Sequence, residues 1–357
     1  METQLADQTV PVNGYARKQE DIKLFTIQNS RGTKLTVSNC GAAVVCLYVS
    51  DKNGVFSDIV LGYEDPAEYL KDDYYIGTIV GRYANRIAGD TIFINDHPYK
   101  ISTKEGGYHL HGGAAGFNKK IFYSTLFQDD NKSGIIFKYT SPHLEEGFPG
   151  ELQLEVIYTL DDDDQWTVEY KATSDQTTII NLTQHTYFNL NGRPSSSIDD
   201  HELKISGNYY LPVNAMQVPT GKLEKVNNTA FDFSSFKKIA QDITQDNEQL
   251  QLSNGYDHSF VLEHQHTPAL KHAAVVKELS SGRRMDVYTT EPAIHFYSGN
   301  FLENVKGKNG VIYNKRSGFC LETQHFPDAP NQPHFPTTIL NAGEKFYSKT
   351  IFKFSVE

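Results

Sequence analysis

Hydrophobic positions along the chain fall into short runs rich in Val, Ile, Thr, Tyr and Phe, among them IKLFTI from Ile22, LQLEVIYTL from Leu152, WTVEYKA from Trp166 and AAVVKEL from Ala273. β-Branched and aromatic side chains suit a pleated surface, so these runs read as strands. Turn signals separate them: Asn53-Gly54, Asn95-Asp96, Asn254-Gly255 and Ser281-Gly282. The last of these joins two strand-like runs as a tight hairpin would, and the acidic run 161–164 reads as a hairpin tip. Helical spacing is confined to residues 66–71 and the polar stretch 237–250, so there is no β-α-β alternation to build a parallel sheet. The pattern predicts an all-β, antiparallel fold.

One stretch, residues 179–190, divides by strand alternation into two unlike faces. Ile180, Leu182, Phe188 and Leu190 lie on one, and Asn181, Thr183, His185, Tyr187 and Asn189 on the other. A row of neutral hydrogen-bonding groups suits a polyol, and a solvent-washed sheet face has the same appearance. In 318–331, GFCLETQHFPDAPN, Glu322 follows an apolar run. A carboxylate carried inward there needs a cation, several donors or a functional position, whereas a strand-end surface Glu needs none of these.

Further chemistry-bearing residues occur in GRYANRIAGD (Arg82, Asn85, Arg86) and in GGYHLHGG (His109, His111). Asp257 and His258 precede an apolar strand in GYDHSFVL, and Glu291, His295 and Tyr297 share one alternating face. The His-x-His spacing permits a metal pair as well as a turn, but no third or fourth ligand stands at a diagnostic spacing, and HExxH, paired CxxC and EF-hand patterns are absent. Neither phosphate-binding glycine motif is present, which argues against a nucleotide cofactor.

Composition narrows the classes further. The chain has 357 residues, 38% hydrophobic and 22% charged, enough for a substantial core and compatible with one large β domain. Its formal charge is -11, from 44 acidic and 33 basic residues, and Lys and Arg are nowhere densely clustered. Nucleic acid and anionic membrane surfaces are disfavoured as partners, and a neutral substrate is favoured. Three cysteines, Cys40, Cys46 and Cys320, suggest neither a disulfide framework nor a zinc site. With no signal-like start and a longest apolar stretch of only 42–49, the expected location is cytoplasmic. Residues 1 to about 20 are unpatterned and are expected to be frayed or peripheral.

LGYEDPAEYL, VGRYANRIAGD, YHLHGG, NLTQHTYFNL, GYDHSFVL, YSGNF and FCLETQHFPDAPNQPHFP follow one another from Leu61 to Pro336. In this order they resemble the aldose 1-epimerases, or galactose mutarotases, over nearly the whole chain from about Ile22. The resemblance implies a single domain over 1–357, a large antiparallel β-sandwich of the galactose mutarotase-like type with an open sugar cleft on one sheet. It implies an isomerase that interconverts the anomers of free aldohexoses such as galactose and glucose, with no cofactor and no metal, acting as a monomer or homodimer. Position by position it implies Glu322 as catalytic base, His185 as catalytic acid and His111 as a second active-site histidine. Asn85, Arg86 and Asp257 match sugar-binding positions. Two departures stand out: Gln184 where Asn is common, and His295 where a substrate-contacting Gln is common. Gln184 should point away from His185, while His295 puts an ionisable ring in place of an amide.

Ring opening requires a proton to leave the anomeric hydroxyl and another to reach the ring oxygen. Glu322 is expected to be ionised at neutral pH, and His185 to be raised above its ordinary value of about 6.5 by a carboxylate, Glu322 or Asp257. Three other readings compete. They are a noncatalytic sugar-binding protein, an epimerase of hexose 6-phosphates that would need extra cations, and a metal-dependent hydrolase using His109, His111, His185 and Glu322.

Overall fold

The computed structural model describes residues 21–129, 131–193, 195–262 and 269–357, so the expectation for the first twenty residues lies outside the described part. Its largest sheet has nine strands, all antiparallel. The centre is formed by Lys132–Ser141, Leu152–Asp161, Gln165–Ser174, Lys345–Val356, Arg283–Thr289 and Lys271–Glu278. A four-stranded sheet (Leu24–Gln28, Lys34–Ser38, Val44–Ser50, Phe56–Asp58) and a five-stranded sheet pack with it around one apolar core. The second of these carries Asp257–Leu262, Ala293–Tyr297 and Cys320–Gln324 side by side. No helix among the described residues is long and apolar enough to cross a membrane.

Local sequence accounts for the strands. Leu152, Leu154, Val156, Tyr158 and Leu160 alternate inward along their strand and meet Trp166, Val168 and Tyr170 of the next. Trp166 is fully buried, stacked on Phe352 at 4.9 Å between ring centres and edge-on to Tyr158 at 5.6 Å, which makes it a core residue. The acidic run is the expected hairpin tip. Asp161 accepts from the N–H groups of Asp163 and Gln165, and Asp164, with φ of 57°, accepts from Asn29 and Thr33 in the turn between Leu24–Gln28 and Lys34–Ser38. Ser281-Gly282 likewise closes the hairpin in which Glu278 faces Arg283.

Two expectations about secondary structure are corrected. The polar stretch 237–250 is not a helix: Lys237–Lys238 pairs with Glu202 and Leu203 at the sheet edge. The buried Lys237 ammonium is held there by the Ala230 carbonyl and Asp242. A helix begins only at Glu248–Ser253, where Asn247 caps its first N–H groups. In the other case, residues 66–71, helical turning is confined to a 3₁₀ segment, Pro66–Leu70.

The stretch 179–190 is not one regular strand with a polar face. Thr183–Gln184 pairs with Ile79–Val80, and Phe188 bridges to Val60 and Phe319, so the segment is threaded between neighbours and covered on both sides. Its polar row is buried rather than washed by solvent, and most of it bonds to backbone. Asn181 reaches the Ala84 and His325 carbonyls, Thr183 that of Thr323, Tyr187 that of Tyr74, and Asn189 those of Ser196 and Ser317. A polyol surface made of the whole row is therefore excluded, because burial required those groups to find partners within the chain. The His185 ring is left facing the site.

Candidate active site

Alternation in Asp257–Leu262, Ala293–Tyr297 and Cys320–Gln324, the last of them an edge strand of the five-stranded sheet, creates the site. Phe260, Leu262, Ile294, Phe296 and Leu321 enter the core, and Thr323 meets Thr350 of the large sheet at 2.6 Å between hydroxyls. The opposite face consequently carries Asp257 and Ser259, His295 and Tyr297, and Cys320 and Glu322. The strand Arg86–Ala88, paired with Tyr108–Leu110, brings Arg86, Asn85 and His111 over this face.

All seven residues expected at the site converge. His185 Nε2 lies 3.7 Å from Glu322 Oε1, and the rings of His111 and His185 are 5.3 Å apart. Arg86 lies 3.6 Å from Asp257 Oδ2. His295 Nε2 meets Asp257 Oδ1 at 2.7 Å, its Nδ1 meets Ser259 Oγ at 2.8 Å, and Asn85 Nδ2 is 3.4 Å from both its ring nitrogens. In these seven residues two buried polar atoms, Glu322 Oε2 and Arg86 Nε, lack a partner among the described residues. Buried polar atoms are ordinarily satisfied, so a carboxylate oxygen and a guanidinium N–H left over in one site are suited to hydroxyls of a ligand. Glu322 is only 1% exposed and His185 4%, so both groups are buried rather than displayed on an open sheet face.

Three residues at the site have left-handed backbone. Tyr75, Asn85 and His111 have φ of 58°, 63° and 51°, the left-handed region that residues other than glycine rarely enter. Asn85 and His111 hold one another: the His111 N–H donates to the Asn85 carbonyl at 3.0 Å, and the Asn85 N–H donates to His111 Nδ1 at 3.2 Å. His109, by contrast, turns its ring onto Phe148 and uses Nδ1 at the Ser102 carbonyl, 2.7 Å away. The His-x-His pair is thus split between a structural and a site residue.

The charge states differ from the sequence-based expectation. Burial pushes the His185 imidazole down to about 4; its own carbonyl and Asp257 oppose that shift, and His295 adds to it. Burial, with the nearby Asp257 charge, raises the Glu322 carboxyl well above its usual range against the pull of Arg86. Both shifts favour the neutral pair, because two charges buried here lose more hydration than they recover from one another at 3.7 Å. Burial, then His185, Arg86 and His295, also keep His111 neutral. Asp257 is the site's anion: burial works against its charge, but Arg86 and His295 outweigh it and hold the carboxyl below its usual range.

His111, His185 and Glu322 each bring a ligand atom within 4.8 Å of the others, the donor set a metal would use. The tautomer of His111 opposes that use. Its Nδ1 already accepts from the Asn85 N–H, so in the neutral ring Nε2 carries the proton and has no lone pair to offer. The same tautomer makes Nε2–H a donor suited to a hydroxyl.

Two site residues, Gln217 and Tyr75, had no distinguishing signal in the sequence. Gln217, in a polar turn with φ of 59°, accepts from Arg86 Nη2 at 2.6 Å and donates to the Leu252 carbonyl. Tyr75 packs its ring 4.5 Å from His111 and 5.9 Å from His185, while Tyr187 and Tyr297 lie 5.1 and 6.3 Å from His185. Glu291 does not join the site; it pairs with His325 at 2.6 Å. Gln184 points away from the site as expected, donating to the Gly77 carbonyl and the Tyr158 hydroxyl.

Comparison with known proteins gives one consistent result. The family model described as aldose 1-epimerase matches residues 23–353. The galactose mutarotase of Bos taurus is 41% identical over 336 residues, 94% of either chain. That of Homo sapiens is 42% identical over 337 residues, again 94% of each. Among solved structures, an aldose epimerase homologue from C. elegans superimposes with a TM-score of 0.84 at 29% identity, covering 94% of this chain and 99% of its own.

Proposed function

The chain belongs to the aldose 1-epimerase family and is an isomerase that interconverts the α and β anomers of aldoses, and we propose that Glu322 and His185 move the two protons of that reaction. The observation that carries the assignment is the approach of His185 Nε2 to Glu322 Oε1, 3.7 Å, beside an unpartnered second carboxylate oxygen. In the reactive complex Glu322 is a carboxylate and His185 an imidazolium. Glu322 takes the proton of the anomeric hydroxyl as a C1=O bond forms, the C1–O5 bond breaks, and His185 gives its Nε2 proton to O5. The open-chain aldehyde is then flanked by a neutral acid and a neutral imidazole. Rotation about C1–C2 presents the other carbonyl face, and closure returns both protons.

This cycle accounts for the directions of both shifts. Burial favours the neutral pair, which is the pair that accompanies the open chain. The closed sugar, intrinsically the more stable form, is matched with the ion pair that burial disfavours, so the two complexes approach one another in energy. Each proton handler typically contributes roughly 100- to 10,000-fold, or about 3 to 5.5 kcal/mol.

Galactose and glucose are the proposed substrates, by analogy with the galactose mutarotases of similar sequence. Asp257 accepts from sugar hydroxyls, Arg86 donates through its free Nε–H, Asn85 and His295 complete the polar contacts, and His111 donates from Nε2. Tyr75 and Tyr297 offer apolar ring surface beside His185. A phosphorylated sugar fits less well, since Arg86 is already engaged by Asp257 and Gln217. One domain built of residues 21–357 is proposed too, supported by a core that runs from Ile27 to Phe354.

Polarimetry of freshly dissolved α-D-galactose and α-D-glucose, with and without EDTA, tests this. Acceleration over the spontaneous rate that survives chelation is expected. No acceleration of either sugar would sink the substrate assignment.

A further inference from the structure

Both ring nitrogens of His185 face the same strand. Cys320 and Glu322 are two residues apart in Cys320–Gln324 and share its outward face, since Leu321 enters the core between them. Glu322 Oε1 lies 3.7 Å from Nε2, and Cys320 Sγ lies 3.5 Å from Nδ1. We propose that Cys320 is a positioning residue for the reaction: its sulfur holds the Nδ1 edge of His185, so that Nε2 alone gives a proton to the ring oxygen and takes it back.

The imidazolium donates Nδ1–H to the sulfur and Nε2–H to the ring oxygen. After transfer the neutral ring keeps Nδ1–H and presents its lone pair at Nε2, ready for ring closure. No tautomer change is needed between opening and closing. A carboxylate at position 320 would orient the ring equally well, but its charge would stabilise the imidazolium and weaken it as an acid. Burial keeps the Cys320 thiol uncharged, with Glu322 and Asp257 adding to the effect. The sulfur therefore orients without adding charge.

The titratable groups around His185 are these. Glu322 and Cys320 face it from their strand, Tyr75 and His111 from the covering loops, and Tyr187 from its own segment. Tyr297 and His295 lie on the adjacent strand and Asp257 on the next. Asp257 acts on His185 through space, raising it.

The inference rests on His185 being the acid, and the test separates the two. Rates of Cys320→Ser, Cys320→Ala and Cys320→Asp are measured against pH in the full chain. Serine, a neutral hydrogen-bonding replacement, should stay close to wild type. Alanine should lose roughly tenfold to a hundredfold in kcat with KM little changed. Aspartate should move the acid limb of kcat upward by about one pH unit or more. An alanine variant with unchanged kcat would overturn the proposal, as would an aspartate variant that folds and keeps the wild-type pH profile. Should the aspartate variant not fold, ¹⁵N shifts of His185 in the wild-type protein decide. Protonated Nδ1 and unprotonated Nε2 at neutral pH are expected, and the opposite tautomer would overturn the proposal. Unaltered activity in His185→Asn would instead remove the premise.

Discussion

His295 stands directly opposite Glu322 across the paired strands Ala293–Tyr297 and Cys320–Gln324, and Ser259 stands opposite His295 on its other side. One register across three strands thus fixes the carboxylate of Glu322, the ring of His295 and the hydroxyl that the ring meets at 2.8 Å. A slip of one residue would turn this row into the core and expose the core face to the site.

Because the His295 ring holds Asp257 at 2.7 Å, it governs how much of that carboxylate is free for sugar hydroxyls. His295→Gln should leave the fold intact and alter the ratio of kcat/KM for galactose over glucose, measured by polarimetry. An unchanged ratio would mean that His295 does not set sugar preference.

Removing either proton handler should cost the most. Glu322→Gln and His185→Asn are each expected to lose roughly 100- to 10,000-fold in kcat while keeping wild-type circular dichroism. The double variant should be little worse than the worse single one, since the two protons move in one step. Full additivity would argue that the residues act separately.

The pH dependence follows from one proton shared by the pair. kcat/KM should fall on the acid side as His185, pushed down to about 4 by burial, gains a proton alongside protonated Glu322. It should fall on the alkaline side as Glu322, raised by burial, loses the last proton. Stability carries matching signs. His185 is depressed on folding, so its contribution is intact above the unfolded value of about 6.5 and is lost as pH falls toward the folded one. Glu322 is raised, so its contribution is full below its unfolded value and is lost as pH rises through the folded one. Melting temperatures of His185→Asn should consequently decline less than wild type between pH 6.5 and 4; parallel curves would contradict the burial argument.

Gln217 reaches Arg86 across 131 residues of sequence at 2.6 Å. Gln217→Ala should free that guanidinium to swing and raise KM several-fold with kcat nearly unchanged, and Arg86→Lys should raise KM further because lysine lacks the fork. A loss confined to kcat in either variant would contradict a binding role.

Trp166 tests the scaffold apart from the site. Trp166→Ala should destabilise the fold by about 3 to 5 kcal/mol in urea or thermal unfolding, with KM of the folded fraction unchanged. A shift of KM would tie the core stack to the site.

The sequence alone determined what depends on neighbouring residues in the chain. The inward series from Leu152 to Leu160, the acidic turn at Asp161 and Asp164, and the shared faces of Asp257 with Ser259 and of Cys320 with Glu322 all follow from strand alternation and turn chemistry, which are local properties of the backbone. The seven candidate site residues, which the structure brings together, were legible because their motifs stand in the order of a known family, not because their spacing required it. Tertiary structure decided everything that depends on who else is nearby. It gave His109 to Ser102 and His111 to the site. It buried the polar row from Asn181 to Asn189 against backbone, and it held the 237–250 stretch away from helix through the partners of Lys237. Above all it shifted Glu322 and His185 toward their neutral forms, against expectation, because the cost of losing water depends on the number of atoms packed around a group, and no stretch of sequence specifies that number.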